Sequence, residues 1–241
     1  MLVGMVTLRE VIDSSNRIVF FGGAGVSTES GIPDFRSADG IYSKARDITW
    51  APEELLSASF LRRYPEVFFD YYRKNLVYPQ AQPNSAHRAL AALEQSGKVS
   101  AVITQNIDGL HQAAGSENVL ELHGNINRNY CETCGREYPL DFVVSSAGVP
   151  TCACGGMVRP DVVLYEEALY SDVLERAVAE LQAADTLIVG GTSLSVYPAA
   201  GLIRAFGGDQ LVLINRDATP HDRVADLVIR EPIGQALAEF L

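Results

Sequence analysis

The feature that most constrains this chain is a set of short apolar runs, each halted by a glycine or an amide. Ile18–Phe21 stops at Gly22, Val99–Thr104 at Gln105, Thr186–Val189 at Gly190 and Gln210–Ile214 at Asn215. Runs of this kind read as strands buried on both faces, as in a parallel sheet. Helical patterns lie between them. Ser85–Gln95 carries Ala86, Leu90 and Leu93 on one face, and Ser171–Ala183 carries Val173, Leu174, Ala177, Val178 and Leu181. Strand–helix alternation predicts an α/β fold, a Rossmann-like doubly wound parallel sheet.

Two regions break the rhythm. Residues from about Ser37 to Pro83 are rich in Tyr, Phe and helix-forming runs without a core strand, and Asn125 to Pro160 holds all four cysteines. The expected organisation is a Rossmann-like domain made of residues 1–36, 84–124 and 161–241. A smaller lobe, helical plus zinc ribbon, is expected from the insertions 37–83 and 125–160. With 241 residues, 47% of them hydrophobic, the chain can bury a core of that size.

The net charge of −11 argues against a nucleic-acid partner, which calls for clustered Lys and Arg. It would attract a basic protein tail, although an acidic surface also simply favours solubility. Met1–Leu8 lacks the basic start and small-residue cleavage site of a secretory signal, and no apolar run approaches the roughly 20 residues of a membrane span. A soluble, cytoplasmic protein with no membrane partner is the expectation. Nothing in the sequence sets an oligomeric state.

After the first strand, Gly23-Ala24-Gly25 allows a sharp turn and close approach of backbone N–H groups to a pyrophosphate, and Val26–Ser30 reads as a helix start. The dinucleotide fingerprint G-x-G-x-x-G is incomplete, because Thr28 takes the last position. No acidic residue ends the following strand to hold an adenosine ribose. A plain glycine turn competes with the phosphate reading. Beyond the loop, Phe35 could cover a nicotinamide and Arg36 could reach phosphate or ribose hydroxyls, against a core Phe beside a surface Arg.

The cysteines form Cys131-x-x-Cys134 and Cys152-x-Cys154 with 17 residues between the pairs. In a reducing compartment this spacing suits one structural zinc held by four thiolates, leaving no open coordination position for catalysis. A redox dithiol or an iron centre is the lesser alternative. Of the four histidines, His87 and His111 read as packing residues in helices and His221 lies in a polar connection. His123 ends the apolar run Val119–Leu122 beside Gly124, where an α/β fold gathers its site, and imidazole is the usual general base near neutral pH. Gln105, Asn106 and Asp108 follow another strand end. They could hold ribose hydroxyls, a carboxamide or water, or could cap the next helix.

Taken together, these segments resemble the sirtuins, NAD-dependent protein deacylases, from about Arg17 to Ile229, and most resemble the compact bacterial and archaeal members. The resemblance rests on Gly23-Ala24-Gly25-Val26-Ser27 with Gly31-Ile32-Pro33-Asp34-Phe35-Arg36, Thr104-Gln105-Asn106-Ile107-Asp108 and Leu122-His123-Gly124. The cysteines, Arg159-Pro160-Asp161-Val162-Val163, Gly191-Thr192-Ser193-Leu194 and Leu213-Ile214-Asn215 add to it. It implies that NAD and an acetylated lysine of a protein or peptide meet in a cleft beside a zinc lobe. Gly23, Ala24, Gly25, Thr28, Phe35, Arg36, Gln105, Ile107, Gly191, Thr192, Ser193 and Asn215 would contact NAD. Asn106 and Asp108 would shape the nicotinamide pocket, and His123 would be the catalytic base. The implied reaction sends the acyl oxygen to ribose C1′ as nicotinamide leaves, then the 2′-oxygen to the imidate carbon. Its products are free lysine, nicotinamide and O-acetyl-ADP-ribose. A protein ADP-ribosyltransferase and a non-catalytic NAD-sensing module are the alternatives.

The resemblance also implies a peptide strand lying against Val163, Tyr165 and Val196. Here the chain departs from the family, which often has Phe-Gly-Glu where this sequence reads Tyr165-Glu166-Glu167. Succinyl-removing members carry Tyr-x-x-Arg in the acyl pocket; Phe69 and Tyr72 stand at those positions, which favours uncharged acyl groups. Glu231-Pro232-Ile233 would close over adenine.

Overall fold

The computed structural model describes residues 6–35, 40, 50–192, 194 and 199–241. They form strands β1 (Ile18–Gly22), β2 (Val99–Thr104), β3 (Val119–Glu121), β4 (Gly124–Cys131) and β5 (Glu137–Tyr138). These are followed by β6 (Val158–Val162), β7 (Thr186–Gly190), β8 (Gln210–Ile214) and β9 (Leu227–Ile229). Six of them make a parallel sheet in the order β3-β2-β1-β7-β8-β9. This is the doubly wound dinucleotide-binding order, with its reversal between β1 and β7.

The apolar runs lack a polar face because both faces of the sheet are covered. Ile18, Phe20, Val102, Ile188, Val212 and Ile214 pack with the helices Leu8–Ser14 and Ser85–Gln95. Their neighbours Val19, Phe21, Ala101, Ile103, Leu187, Val189 and Leu213 pack on the other side with the helix Ser171–Ala183. Both long helices have the ends that the apolar spacing predicts.

A second, antiparallel sheet has the order β5-β4-β6. Its Ile126, Val158 and Val162 share one apolar cluster with Phe60, Phe68, Phe69 and Tyr72, from the helices Ala58–Arg63 and Pro65–Asn75. The two cysteine-free and cysteine-bearing insertions therefore pack on each other. The β4–β6 pairing begins at Gly124 with Val162, so it runs across the expected boundaries at 124/125 and 160/161. Gly124 sits at φ +77°, and a Cβ there would lie 2.0 Å from the Asp161 carbonyl oxygen. Only glycine permits that approach.

One internal feature was expected to be plain packing. His87 and His111 are both buried, with their rings edge to face at 4.7 Å. His87 closes a capping box: its Nδ1 accepts the Asn84 N–H at 3.2 Å, while the Asn84 side chain accepts the N–H groups of Ala86 and His87. Burial pushes His87 down to about 4 and His111 well below its ordinary value; each ring is thus neutral at pH 7. In the unfolded chain both titrate near 6.5, so below that pH the unfolded state binds more protons and gains on the native one.

Stability is therefore expected to be full above about pH 6.5 and to fall as pH drops toward 4, with a limiting slope of about 1.4 kcal/mol per pH unit for each ring. Urea unfolding from pH 7.5 to 4.5 tests this. His111→Phe should lower the slope whatever it does to the absolute stability, and an identical slope would show that the ring is not neutral in the fold.

Candidate functional site

At the reversal between β1 and β7 two glycine loops meet backbone to backbone. The Gly25 N–H donates to the Gly191 carbonyl at 2.8 Å and the Gly23 N–H to that of Gly190 at 3.2 Å. A Cβ on Gly25 would lie 2.7 Å from Gly191 Cα, and one on Gly191, at φ +61°, 2.4 Å from the Val26 nitrogen. The Gly23 and Gly25 N–H groups, expected to face a phosphate, donate here to the neighbouring loop. Their glycine character serves this close packing. The helix expected to start over Val26–Ser30 is a 3-10 helix, Ala24–Ser30.

That tighter turn presents Ser27 to the end of β2. The Ser27 hydroxyl donates to Asp108 Oδ2 at 2.7 Å and accepts from Asn106 Nδ2 at 3.0 Å. Asp108 Oδ1 accepts the Leu110 N–H at 2.9 Å, so Asp108 both holds the first N–H of the short helix Leu110–Ala113, whose N-cap is Gly109, and joins this network. Burial pushes its carboxyl up against the lowering effect of those bonds. The Asn106 N–H is in turn held by Thr104 Oγ1 at 3.0 Å. Ser27 and Thr104 were not among the expected site residues.

His123 lies between β3 and β4, where the chain leaves one sheet for the other. Its Nδ1 is 2.9 Å from the Gln105 carbonyl oxygen. A carbonyl only accepts, so Nδ1 carries the proton and Nε2 keeps a lone pair. Burial lowers the His123 pKa and the Gln105 bond offsets part of that shift, which leaves a neutral ring able to accept a proton. The Gln105 side chain reaches across to Thr192 Oγ1 at 3.1 Å, and the His123 carbonyl accepts the Val163 N–H at 2.9 Å. Another carboxylate unforeseen from the sequence, Glu121, anchors this junction. It accepts from Gln112 Nε2 at 2.7 Å, from Arg128 Nη1 at 2.6 Å and from Asn125 Nδ2.

A cleft of about 690 Å³ opens here. Ala24, Gly25, Thr28, Phe35, Gln105, Asn106, Ile107, Asp108, His123, Gly191, Thr192 and Asn215 line it, as do Val163, Tyr165 and the C-terminal Glu231, Pro232 and Ile233. Gly23 stands behind the wall against Thr192. Phe69 and Tyr72 are fully buried in the apolar cluster. Arg73, next to Tyr72, donates to the carbonyls of Val143 and Gly148. Arg36, Ser193 and Val196 lie outside the described residues.

The sulfur atoms of Cys131, Cys134, Cys152 and Cys154 all lie within 4.8 Å of one another. Cys131–Cys154 and Cys134–Cys152 are 3.5 and 3.6 Å apart, too far for disulfides and close to the roughly 3.8 Å edge of a tetrahedron with 2.3 Å zinc–sulfur bonds. A Cβ on Gly156 would sit 2.7 Å from Cys131 Sγ. The donor set fits a closed structural zinc.

The order of the sheet, the backbone-packed glycine loops and the cleft define a dinucleotide-binding α/β protein, with a four-cysteine cluster fit for a metal ion beside its second sheet. The family model described as Sir2 family matches residues 23–198, and the chain belongs to that family. It is 60% identical over 94% of its length to the NAD-dependent protein deacetylase of Cutibacterium acnes, of which it covers 93%. To the enzyme so named from Clostridium perfringens it is 58% identical, over 97% of both chains. The solved structure of a Sir2 enzyme with a deacetylated p53 peptide and 3′-O-acetyl-ADP-ribose superposes with a TM-score of 0.87. It is 38% identical and covers 97% of this chain and 98% of that one. A Sir2 homologue bound to NAD gives a TM-score of 0.84 at 39% identity, over 95% of this chain and 89% of that one.

Metal analysis is expected to find about one zinc per chain. Cys131→Ala should lose it and melt the lobe around β4–β6 at lower temperature, because zinc binding supplies folding free energy there. Full zinc content with unchanged melting in that variant would remove the assignment.

Proposed function

We propose that the protein is an NAD-dependent protein-lysine deacetylase, which releases free lysine and nicotinamide and forms O-acetyl-ADP-ribose. The observation that carries this reading is a half-buried, neutral His123 in the same cleft as the Asn106–Ser27–Asp108 network. NAD, as co-substrate, supplies a glycosidic bond whose cleavage makes ribose C1′ available to the acyl oxygen. Asn106 and Asp108 would hold the carboxamide end, with the Ser27 hydroxyl fixing their mutual orientation. Phe35 and Ile107 would exclude water from that end of the cleft. Ala24, Gly25, Thr28, Gly191, Thr192 and Asn215, together with Arg36 and Ser193, would line the phosphate and adenosine path, Gly23 supporting them from behind Thr192, and Gln105 would line a ribose. His123 would take a proton from a ribose hydroxyl at Nε2, its other nitrogen committed to the Gln105 carbonyl. Val163, Tyr165 and Val196 would contact the acyl-peptide.

On this reading the cleft is the junction of a Rossmann-like domain (1–36, 84–124, 161–241) with a smaller helical and zinc lobe (37–83, 125–160). Four unbridged cysteines support a reducing, cytoplasmic setting. Among the described residues no helix is long and apolar enough to cross a membrane.

Incubation with NAD and an acetyl-lysine peptide should release nicotinamide and O-acetyl-ADP-ribose in step with deacetylation. His123→Tyr should lower kcat by about 100-fold or more, the usual scale for losing a general base. Because the imidazole pKa is lowered, the acid limb of kcat/KM should fall below the ordinary 6.5, activity rising with pH through that limb. Unchanged turnover in His123→Tyr removes the role of the base. A stable ADP-ribose adduct on protein without O-acetyl-ADP-ribose would point to a transferase in place of a deacetylase.

A further inference from the structure

The segment Val163–Glu167 is held from three sides. The Val163 N–H donates to the His123 carbonyl at 2.9 Å. Tyr165 exchanges backbone bonds with the other sheet's helical layer: its N–H donates to Leu56 O and its carbonyl accepts from Ala58 N–H, both at 3.0 Å. Glu167 folds back so that its carboxylate accepts the Leu164 N–H at 2.8 Å and both Arg159 terminal nitrogens at 2.7 and 3.0 Å.

Between Tyr165 and Glu167 the backbone turns through the left-handed region at Glu166, φ +75°. A residue with a Cβ is uncommon there, and it persists where the surroundings hold it. What holds it is visible. One Glu166 carboxylate oxygen accepts the Ser59 N–H at 2.9 Å and the other accepts the Ser59 hydroxyl at 2.9 Å. Ser59 follows directly on Ala58, the residue that bonds Tyr165. The carboxylate thus closes a second link, one residue further along each strand of chain, over the same contact.

We infer that Glu166 is a positioning residue for the acyl-peptide: by gripping Ser59 it sets the line of the segment Val163–Tyr165 against which the peptide lies. The inference rests on the deacetylase reading given above. A glycine at this position adopts the turn freely but gives up the second link, to Ser59. With glutamate, a strained turn becomes a latch between the wall of the cleft and the helix Ala58–Arg63. Order built in beforehand lowers the cost of ordering a partner, so the benefit falls on peptide binding and not on the chemistry at His123.

Glu166→Gly separates the latch from the backbone, because glycine tolerates the left-handed turn and folding is expected to survive. Steady-state kinetics with NAD and an acetyl-lysine peptide should show its peptide KM raised by about three- to tenfold, with kcat and the KM for NAD within about twofold. Ser59→Ala, which removes one of the two bonds, should raise the peptide KM less, and adding it to Glu166→Gly should add nothing further. Glu166→Gln, which keeps an acceptor for one bond, should recover part of the loss. An unchanged peptide KM in Glu166→Gly overturns the inference, as does an equal Ser59→Ala effect in both backgrounds. If the unaltered protein itself turns over no acetyl-peptide, the deacetylase reading fails instead. In that case peptide affinity measured by calorimetry still decides the latch, which predicts weaker binding in Glu166→Gly and is overturned by equal binding.

Discussion

The cleft depends on one contact, the meeting of the β1 and β7 loops through Gly25 and Gly191. Parallel pairing brings Gly22 level with Gly190, so the chain leaves both strands at the same height. Two loops leaving adjacent strands would ordinarily splay apart to make room for side chains. Here the Gly25 N–H reaches the Gly191 carbonyl directly, and neither residue has space for a Cβ. The consequence is positional. Ser27, two residues on from Gly25, is delivered to Asp108, and Thr192, directly after Gly191, is delivered to Gln105. Larger residues at either glycine would separate the loops and move both polar pairs together.

Burial then decides the chemistry of the groups so placed. Burial disfavours the charged forms of both Asp108 and His123, raising the one pKa and lowering the other. The protein compensates unequally. Asp108 receives two hydrogen-bond donors, Ser27 Oγ and Leu110 N–H, which act to preserve its acceptor character. His123 receives one acceptor, the Gln105 carbonyl, which fixes its tautomer but supplies no counter-charge. The result is an oriented acceptor on each: oxygen on one, Nε2 on the other.

Much of the architecture was legible because burial leaves a periodic trace. Continuous apolar runs marked the strands, and spacings of three and four marked the helices Ser85–Gln95 and Ser171–Ala183. The four cysteines were legible as a set because their spacing carries meaning without a fold. Ser27 left no such trace: a serine in a glycine-rich loop looks like any loop serine until a 3-10 turn brings it to a partner 81 residues away. Glu121 was hidden by standing in an apolar run, its partners Gln112, Asn125 and Arg128 assembled by the chain reversal that follows. The glycines were legible as sites of close approach, but the sequence does not say which backbone a glycine faces, so the packing of Gly25 on Gly191 left no trace.

The end of β2 explains why an incomplete dinucleotide fingerprint accompanies an intact cleft. In a hydride-transferring fold, a carboxylate follows the second strand and grips the adenosine ribose. In this chain the corresponding residue is Gln105, and each of its polar ends has another task. Its carbonyl orients the imidazole of His123, and its side-chain amide bonds Thr192 across the reversal point. A carboxylate side chain there could not donate to the Thr192 hydroxyl, and a negative charge on the residue whose carbonyl holds His123 would favour the protonated imidazole. An uncharged residue at the end of β2 thus suits both the bond to Thr192 and the neutral ring of His123.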